Sequence, residues 1–460
     1  MGLAADIAPL RAAGWDALAM VAAPWREPTA VAAAFAETPY AIAFLSDGSA
    51  DARWSYFAQA PEAVAVVGPH DTLDPFAAAA ALLGPARPPH ADAPPFQGGL
   101  AGLVSYEAGL RREPSVRAGH SDWPDLAAGL YPALLAFDHH RRRVVALGRG
   151  ATEPQAQARA RRALAWLEAP PPGSRPNRLA EGFAPLTAAS AYRSAVAEAT
   201  RRIEAGEIFQ ANIARAWGGR LAAGVRPFDL IAALTVQSPA PFAAYLRLPD
   251  RAVASNSPER FLSVDAGGRV QTRPIKGTRP RDADPVRDAA LAAELAASPK
   301  DRAENLMIVD LMRNDLARVC VPGSVAAPEL FRLESFANVH HLTSTVTGRL
   351  NPGATGLDLM AAAFPPGSIT GAPKVQAMRV IAGLEGPRGP YCGSMFWAGF
   401  DGAFDSSVLI RTAALVADAG GWRFEARAGA GIVADSDPVL EDRETEAKIG
   451  ALARAFGGAA

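Results

Sequence analysis

Short apolar runs joined by tight polar turns constrain this chain more than any other feature. Residues 134–137 and 143–147, apolar but for Arg143, lie on either side of the DHHRRR turn in the pattern of a hairpin. Residues 39–61 (PYAIAFLSDGSADARWSYFAQAP) read as two strands around a Gly/Asp/Ser turn, and 98–106 (GGLAGLVSY) as a strand opened by glycines. Hairpins join antiparallel neighbours, because parallel neighbours need a long crossover. Strands and helices alternate irregularly, without a solenoid repeat. The expected class is therefore α+β, not a doubly wound fold.

The chain has 460 residues, more than one small core needs. At about 150 residues per domain, two or three domains or one large composite fold are expected. Residues 169–176 (APPPGSRP) form the clearest linker. The expected division is an N-terminal portion 1–168, a linker or surface crossing 169–186, and a catalytic region 187–455. Residues 155–167 have helical composition. Tyr192, Val196, Ala199 and Ile203 repeat at helical spacing and stop at Gly206, ahead of a strand over 208–217 (IFQANIARAW).

A hydrophobic share of 49%, a charged share of 20% and a formal net charge of −1 indicate a globular protein with no general attraction to nucleic acid or membrane surfaces. The two cysteines, Cys320 and Cys392, form no CxxC pair, which fits a reducing compartment. Asp6, Arg11 and Asp16 break any signal-peptide core, and apolar runs such as 76–84 are too short to span a bilayer. A soluble, cytoplasmic protein is expected. His139 and His140 have no Cys, His or acidic partner at ligand spacing and read as a solvated turn.

Lys276 stands at the centre of residues 271–281 (QTRPIKGTRPR). Pro274 fixes the backbone before it and Gly277 loosens it after, which presents the amine at a strand end. Arg269, Arg273, Arg279 and Arg281 crowd the same stretch. Neighbouring positive charge is expected to push the lysine toward its neutral, nucleophilic form. The alternative is a solvated basic loop.

Two helices offer paired carboxylates. Residues 300–320 (KDRAENLMIVDLMRNDLARVC) carry Asp301 and Glu304 three apart. Asp437–Pro438 starts a second helix on which Glu441, Glu444 and Lys448 share a stripe. Acidic first turns also complement a helix dipole, so simple capping is the competing reading. If the helices face each other, the all-oxygen donor set suits Mg²⁺ and not zinc. Residues 428–437 (AGAGIVADSD) read as a glycine turn whose bare N–H groups suit a carboxylate. Arg411, within the strand-like run 408–416 (VLIRTAALV), is expected to need an acidic partner or a ligand carboxylate. Residues 367–374 (GSITGAPK) lack the GxxxxGK[ST] spacing, which excludes a nucleotide site there.

Taken in order, IFQANIAR, SPERF, TRPIKGTRPR, ENLMIVDLMRNDLARVC, VHHLTSTVTG, FPPGSITGAPKVQAM, RGPYCGSMFWAGFDG, LIRTA and AGAGIVADSDP through ETEAK cover nearly all of 208–448. This text resembles the chorismate-utilising enzymes, which include anthranilate, aminodeoxychorismate, isochorismate and salicylate synthases. RWSYFAQAP and GGLAGLVSYE extend a weaker likeness into the N-terminal part. Two positions sort the members. Anthranilate synthases resemble PIAGT where this chain has Lys276. Isochorismate and salicylate synthases carry a water-activating lysine where it has Gln210. The resemblance thus points to 4-amino-4-deoxychorismate as product, on the route to 4-aminobenzoate and folate, with an anthranilate synthase component I as the alternative. A non-catalytic chorismate- or tryptophan-binding subunit has no need of Lys276, Glu259 and the acidic quartet together.

The resemblance also implies roles. Lys276 would be the covalent nucleophile, Glu259 the general acid and His341 an active-site histidine whose task in amination is open. Glu304 and Glu444 would hold Mg²⁺, with Asp301 and Glu441 in support through water. Gly277, Thr278, Tyr391, Arg411, Gly429, Ala430, Gly431 and Lys448 would hold the two substrate carboxylates. Its implied fold is a large sandwich of antiparallel sheets flanked by helices, with N- and C-terminal portions interleaved. Neither cysteine has an amidase setting, so ammonia is expected from a separate glutamine amidotransferase subunit. No lyase segment follows Lys448 in this sequence, so the expected product is aminodeoxychorismate itself.

Overall fold

The computed structural model describes residues 14–49, 52–117, 119–170, 173, 176, 178–336 and 339–457. Asp6, Arg11 and half of the 169–176 linker (171, 172, 174 and 175) lie outside the described residues. Two antiparallel sheets dominate, one of 12 strands and one of 10. The hairpin read at DHHRRR is present as Ala133–Asp138 paired with Arg143–Gly150. Both sheets mix the two halves of the sequence. Ile42–Leu45 pairs with Phe242–Arg247 in the larger sheet, and Gly99–Val104 pairs with Ser394–Gly399 in the smaller.

Side-chain alternation explains the layering, because successive residues of a strand face opposite sides. Ala101 and Leu103 pack with Ile42, Tyr56, Leu134 and Trp397 between the sheets. Leu100 and Val104 turn outward, onto a core that includes Ile308, Met312 and Met360 from helices covering the smaller sheet. Helices on the far side of the larger sheet cover it through Val31, Phe228, Leu234 and Leu452. The class is α+β, a helix-flanked sandwich. No helix among the described residues is long and apolar enough to cross a membrane.

Two local readings are corrected. Residues 408–416 are not one strand. Phe404–Val408 belongs to the smaller sheet and Thr412–Asp418 to the larger, and the chain crosses between them at Arg411, which has φ +51°. The AGAG stretch is not a turn. It ends the long strand Gly421–Ile432, and the turn follows it.

Candidate active site

The Gln210–Arg220 strand pairs with Gly421–Ile432, placing Asn212 opposite Gly431 and Ala214 opposite Gly429. Glycines at 429 and 431 leave a trough on this face. A side chain at Gly431 would stand 3.0 Å from Lys276 Nζ and 3.2 Å from the Gln210 amide. One at Gly429 would stand 2.7 Å from Asn212 Nδ2 and 2.9 Å from the Tyr391 hydroxyl. Ala430 points the other way, into a core with Tyr192, Val196 and Ile381, so its side chain is not part of the trough.

Pairing of Gly421–Ile432 with the next strand stops at Ala426. Lys448 Nζ donates to the Gly429 carbonyl at 2.9 Å. Groups of one residue point the same way in an antiparallel ladder, so the Gly429 N–H faces that open edge too.

Lys276 enters the trough from a bulge. Ile275–Pro280 pairs with Val339–Arg349, but the register shifts between Ile275 and Thr278, where Gly277 adopts φ +83°. The bulge turns Lys276 inward, to 3.5 Å from Gln210 Oε1 and 4.0 Å from Glu304 Oε2. Its pKa is lowered. Burial is the largest cause, Glu304 opposes it, and Lys448 adds like-charge repulsion. The arginines do not act as the sequence suggested. Arg273 pairs with Glu334, Arg279 with Glu294 and Asp301, and Arg281 with Asp288. Their charges meet these acids, of which only Asp301 belongs to the site, and not Lys276.

Glu259 is buried, and burial raises its carboxyl to about 7 against opposing hydrogen bonds from Ser368 and the Ile275 backbone and the charge of Lys276. His341 is also buried. Burial first, then Arg411, pulls its imidazole down to about 4, so it is neutral at physiological pH. Its Nδ1 lies 2.9 Å from Thr278 Oγ1. Burial lowers Arg411, and no carboxylate among the described residues opposes it. Of the two partners expected for it, an acid of the chain and a ligand carboxylate, the first does not act on it among the described residues.

The acidic helices are Pro299–Ala317 and Pro438–Phe456, capped by Ser298 and Asp437. Such caps contribute about 1 kcal/mol each and fix where each helix begins. Lys300 and Asp435 bridge the two helix starts at 3.6 Å. Burial raises Glu304, and Asp301 and Glu444 raise it further against Lys276. Burial is also the largest single effect on Glu444 and pushes it up, but Lys448, bonded at 2.6 Å, together with Lys276 and Lys300 leaves it lowered. Glu441 is raised by burial and accepts a hydrogen bond from Ser436 at 2.7 Å. Among the described residues no three His, Cys, Asp or Glu side chains converge as a ready-made metal cage. Glu304 feels the negative charge of Glu444, each has a lysine ammonium beside it, and their carboxylate oxygens are donors of the kind Mg²⁺ takes, one or two at a time with waters kept.

The sequence reading named Gln210 only as a position that sorts the family, and it omitted Asn212 and Ser368. Gln210 contacts Lys276, Asn212 faces Gly429, and Ser368 holds Glu259. Strand periodicity puts Gln210 and Asn212 on one face, which was the available signal. Arg388 was also missed. It lies beneath Tyr391 and Tyr106, bonded to Glu385 at 3.0 Å and to the carbonyls of Ile369 and Asn212. Both side chains of the Arg388–Glu385 pair are almost fully buried. Glu385→Ala is expected to lower stability by about 3–5 kcal/mol, because a charge stays buried without its partner. Urea denaturation measures this, and a loss below about 1 kcal/mol would contradict it.

Residues 42–454 match the family model described as chorismate binding enzyme. The chain is 46% identical to aminodeoxychorismate synthase component 1 of Klebsiella aerogenes over 369 residues, 77% of this chain and 76% of the other. It is 41% identical to anthranilate synthase component 1 of Streptomyces coelicolor over 421 residues, 87% and 80% of the two chains. The crystal structure of anthranilate synthase component I from Streptococcus pneumoniae superposes with a TM-score of 0.78 at 28% identity, covering 88% of this chain and 93% of that one.

Proposed function

The chain belongs to the chorismate-binding enzyme family, and from that premise we propose that it converts chorismate and ammonia into 4-amino-4-deoxychorismate. The observation that carries this reading is Lys276, an amine lowered by burial and poised over Gly431 beside Glu304 and the Gln210 amide. Gln210 is no base for water, which disfavours hydroxyl transfer.

Lys276 attacks C2 of chorismate. The two ring double bonds shift, and the 4-hydroxyl leaves as water with a proton from Glu259. The adduct is open at C4. Ammonia adds there, the double bonds shift back, Lys276 leaves C2, and Glu259 recovers a proton. The sum is chorismate plus ammonia giving aminodeoxychorismate plus water. Gly429, Gly431, Gly277, Thr278, Tyr391, Arg411 and Lys448 hold the substrate carboxylates. Neutral His341 orients Thr278 through their hydrogen bond.

Glu304 and Glu444, with Asp301 and Glu441 behind them, would hold Mg²⁺, whose charge would offset a substrate carboxylate against these acids. Glu304→Ala is expected to cut activity by roughly 10²-fold or more and to raise the Mg²⁺ concentration needed for half-maximal rate. Full activity in excess chelator would refute the metal assignment.

A glutamine amidotransferase subunit supplies ammonia, consistent with the component 1 naming of the relatives. Two buried, unpaired cysteines agree with a reducing, cytoplasmic setting. The second reading, an anthranilate synthase, is favoured by the Streptomyces coelicolor likeness. Incubation with chorismate, Mg²⁺ and ammonium decides between them. An aminodeoxychorismate mass without pyruvate is expected, and fluorescent anthranilate formed in step with pyruvate would overturn it.

A further inference from the structure

Asn212 has no part in the chemistry above, yet it is an unused donor at the centre of the site. It lies two residues after Gln210 on one strand, so the two amides project from the same face. That face looks onto the trough left by Gly429 and Gly431. Asn212 is only 6% exposed, and its Nδ2 has no hydrogen-bond partner. The space that a side chain at Gly429 would fill is 2.7 Å from this nitrogen and 2.9 Å from the Tyr391 hydroxyl.

A buried N–H without an acceptor costs stability, and an apolar side chain of similar volume would fill the same space without that cost. Packing therefore does not account for an amide here. An acceptor seated over Gly429 does, because the missing Cβ leaves room for it between two polar groups. An oxygen of an anionic ligand fits, since the Gly429 N–H faces the same open edge.

Resting on the reading that this trough receives chorismate, we propose that Asn212 is a substrate-binding residue whose amide N–H donates to a chorismate carboxylate over Gly429, beside the Tyr391 hydroxyl. Lys276 sits over the neighbouring Gly431, so Asn212 fixes one end of the substrate while the amine addresses the ring.

Asn212→Leu tests this, because it keeps the approximate volume and removes the donor. In the full chain, with ammonium and Mg²⁺, the KM for chorismate is expected to rise roughly ten- to hundredfold, with a smaller change in kcat. The melting temperature of the ligand-free variant is expected to hold or rise. Combination with Tyr391→Phe is expected to be less than additive, since both groups serve one carboxylate. A KM within about twofold of wild type in folded Asn212→Leu overturns the assignment. A marked fall in melting temperature also overturns it, because the amide is then a structural partner.

If the leucine variant does not fold, isosteric Asn212→Asp decides. Its KM relative to wild type is expected to rise more than about tenfold at pH 8 and to recover as the pH falls, and an unchanged KM overturns the proposal. The product made by wild type reports separately on the parent reading. Anthranilate from wild type would refute amination at C4, while the variant-to-wild-type KM ratio would still decide Asn212.

Discussion

Lys276→Ala is expected to lower aminodeoxychorismate formation by roughly three orders of magnitude or more, equivalent to about 4 kcal/mol of transition-state stabilisation. The residue sits on a bulge and its side chain reaches Gln210 Oε1 and Glu304, not the neighbouring strand, so its loss is expected to leave the pairing with residues 339–349 intact. Chorismate binding survives, because Gly429, Tyr391 and Lys448 are unchanged. The loop then reads PIAGT, and ammonia reaches C2 without competition from the amine, so some 2-amino product or anthranilate is expected. The competing account is that Lys276 only places an anionic substrate by charge. Lys276→Arg separates the two, because it keeps the charge and loses the nucleophile. Near-normal synthesis by Lys276→Arg would defeat the covalent route. A chorismate-derived mass on the Lys276 peptide, trapped without ammonia, would establish it.

The amine itself was legible in the sequence because Pro274 and Gly277 punctuate it, and the observed bulge is what such punctuation produces. Its electrostatic setting was not. Four arginines nearby in sequence looked like the source of a lowered pKa, yet Arg273, Arg279 and Arg281 find Glu334, Glu294, Asp301 and Asp288 on other elements. The cation that acts on Lys276 is Lys448, on the last helix. Sequence proximity measures neither distance nor desolvation, and burial is the larger cause here.

The same limit applies to Arg411. Its apolar neighbours looked like one strand because both flanking strands are buried, and apolar runs do not record a change of sheet. The two acidic helices were clear from carboxylates at i, i+3 and, for the second, from the Asp437 cap before Pro438, whereas the Ser298 cap of the first went unread. The strand Ala17–Pro24 went unread, since its alanine-rich text carries little β-propensity. Its pairing with residues 143–150 is a long-range fact.

Glu259→Gln is expected to reduce turnover by roughly 10²–10⁴-fold and, in the same protein, to raise stability above neutral pH. Both follow from a carboxyl that burial raises from 4.5 to about 7. For catalysis, the protonated form is the acid that releases the 4-hydroxyl. The wild-type rate therefore falls as the pH rises through about 7, and that descending limb is absent from the residual activity of the glutamine variant. For stability, below pH 4.5 the carboxyl is protonated in folded and unfolded chains alike, and it adds no pH dependence. Between 4.5 and about 7 the unfolded chain gives up the proton while the folded chain holds it, so stability declines as pH rises. Above that window the folded protein carries a buried carboxylate at full cost. Glutamine never ionises and escapes the decline, a gain on the order of 1–3 kcal/mol. Glu107, also raised to about 7 by burial, keeps its own slope in both proteins, so the difference between their curves isolates Glu259. Urea denaturation at pH 5 and pH 8 measures that difference. An equal offset at both pH values would sink the raised carboxyl, and a descending limb that persists in Glu259→Gln would assign the acid to another group.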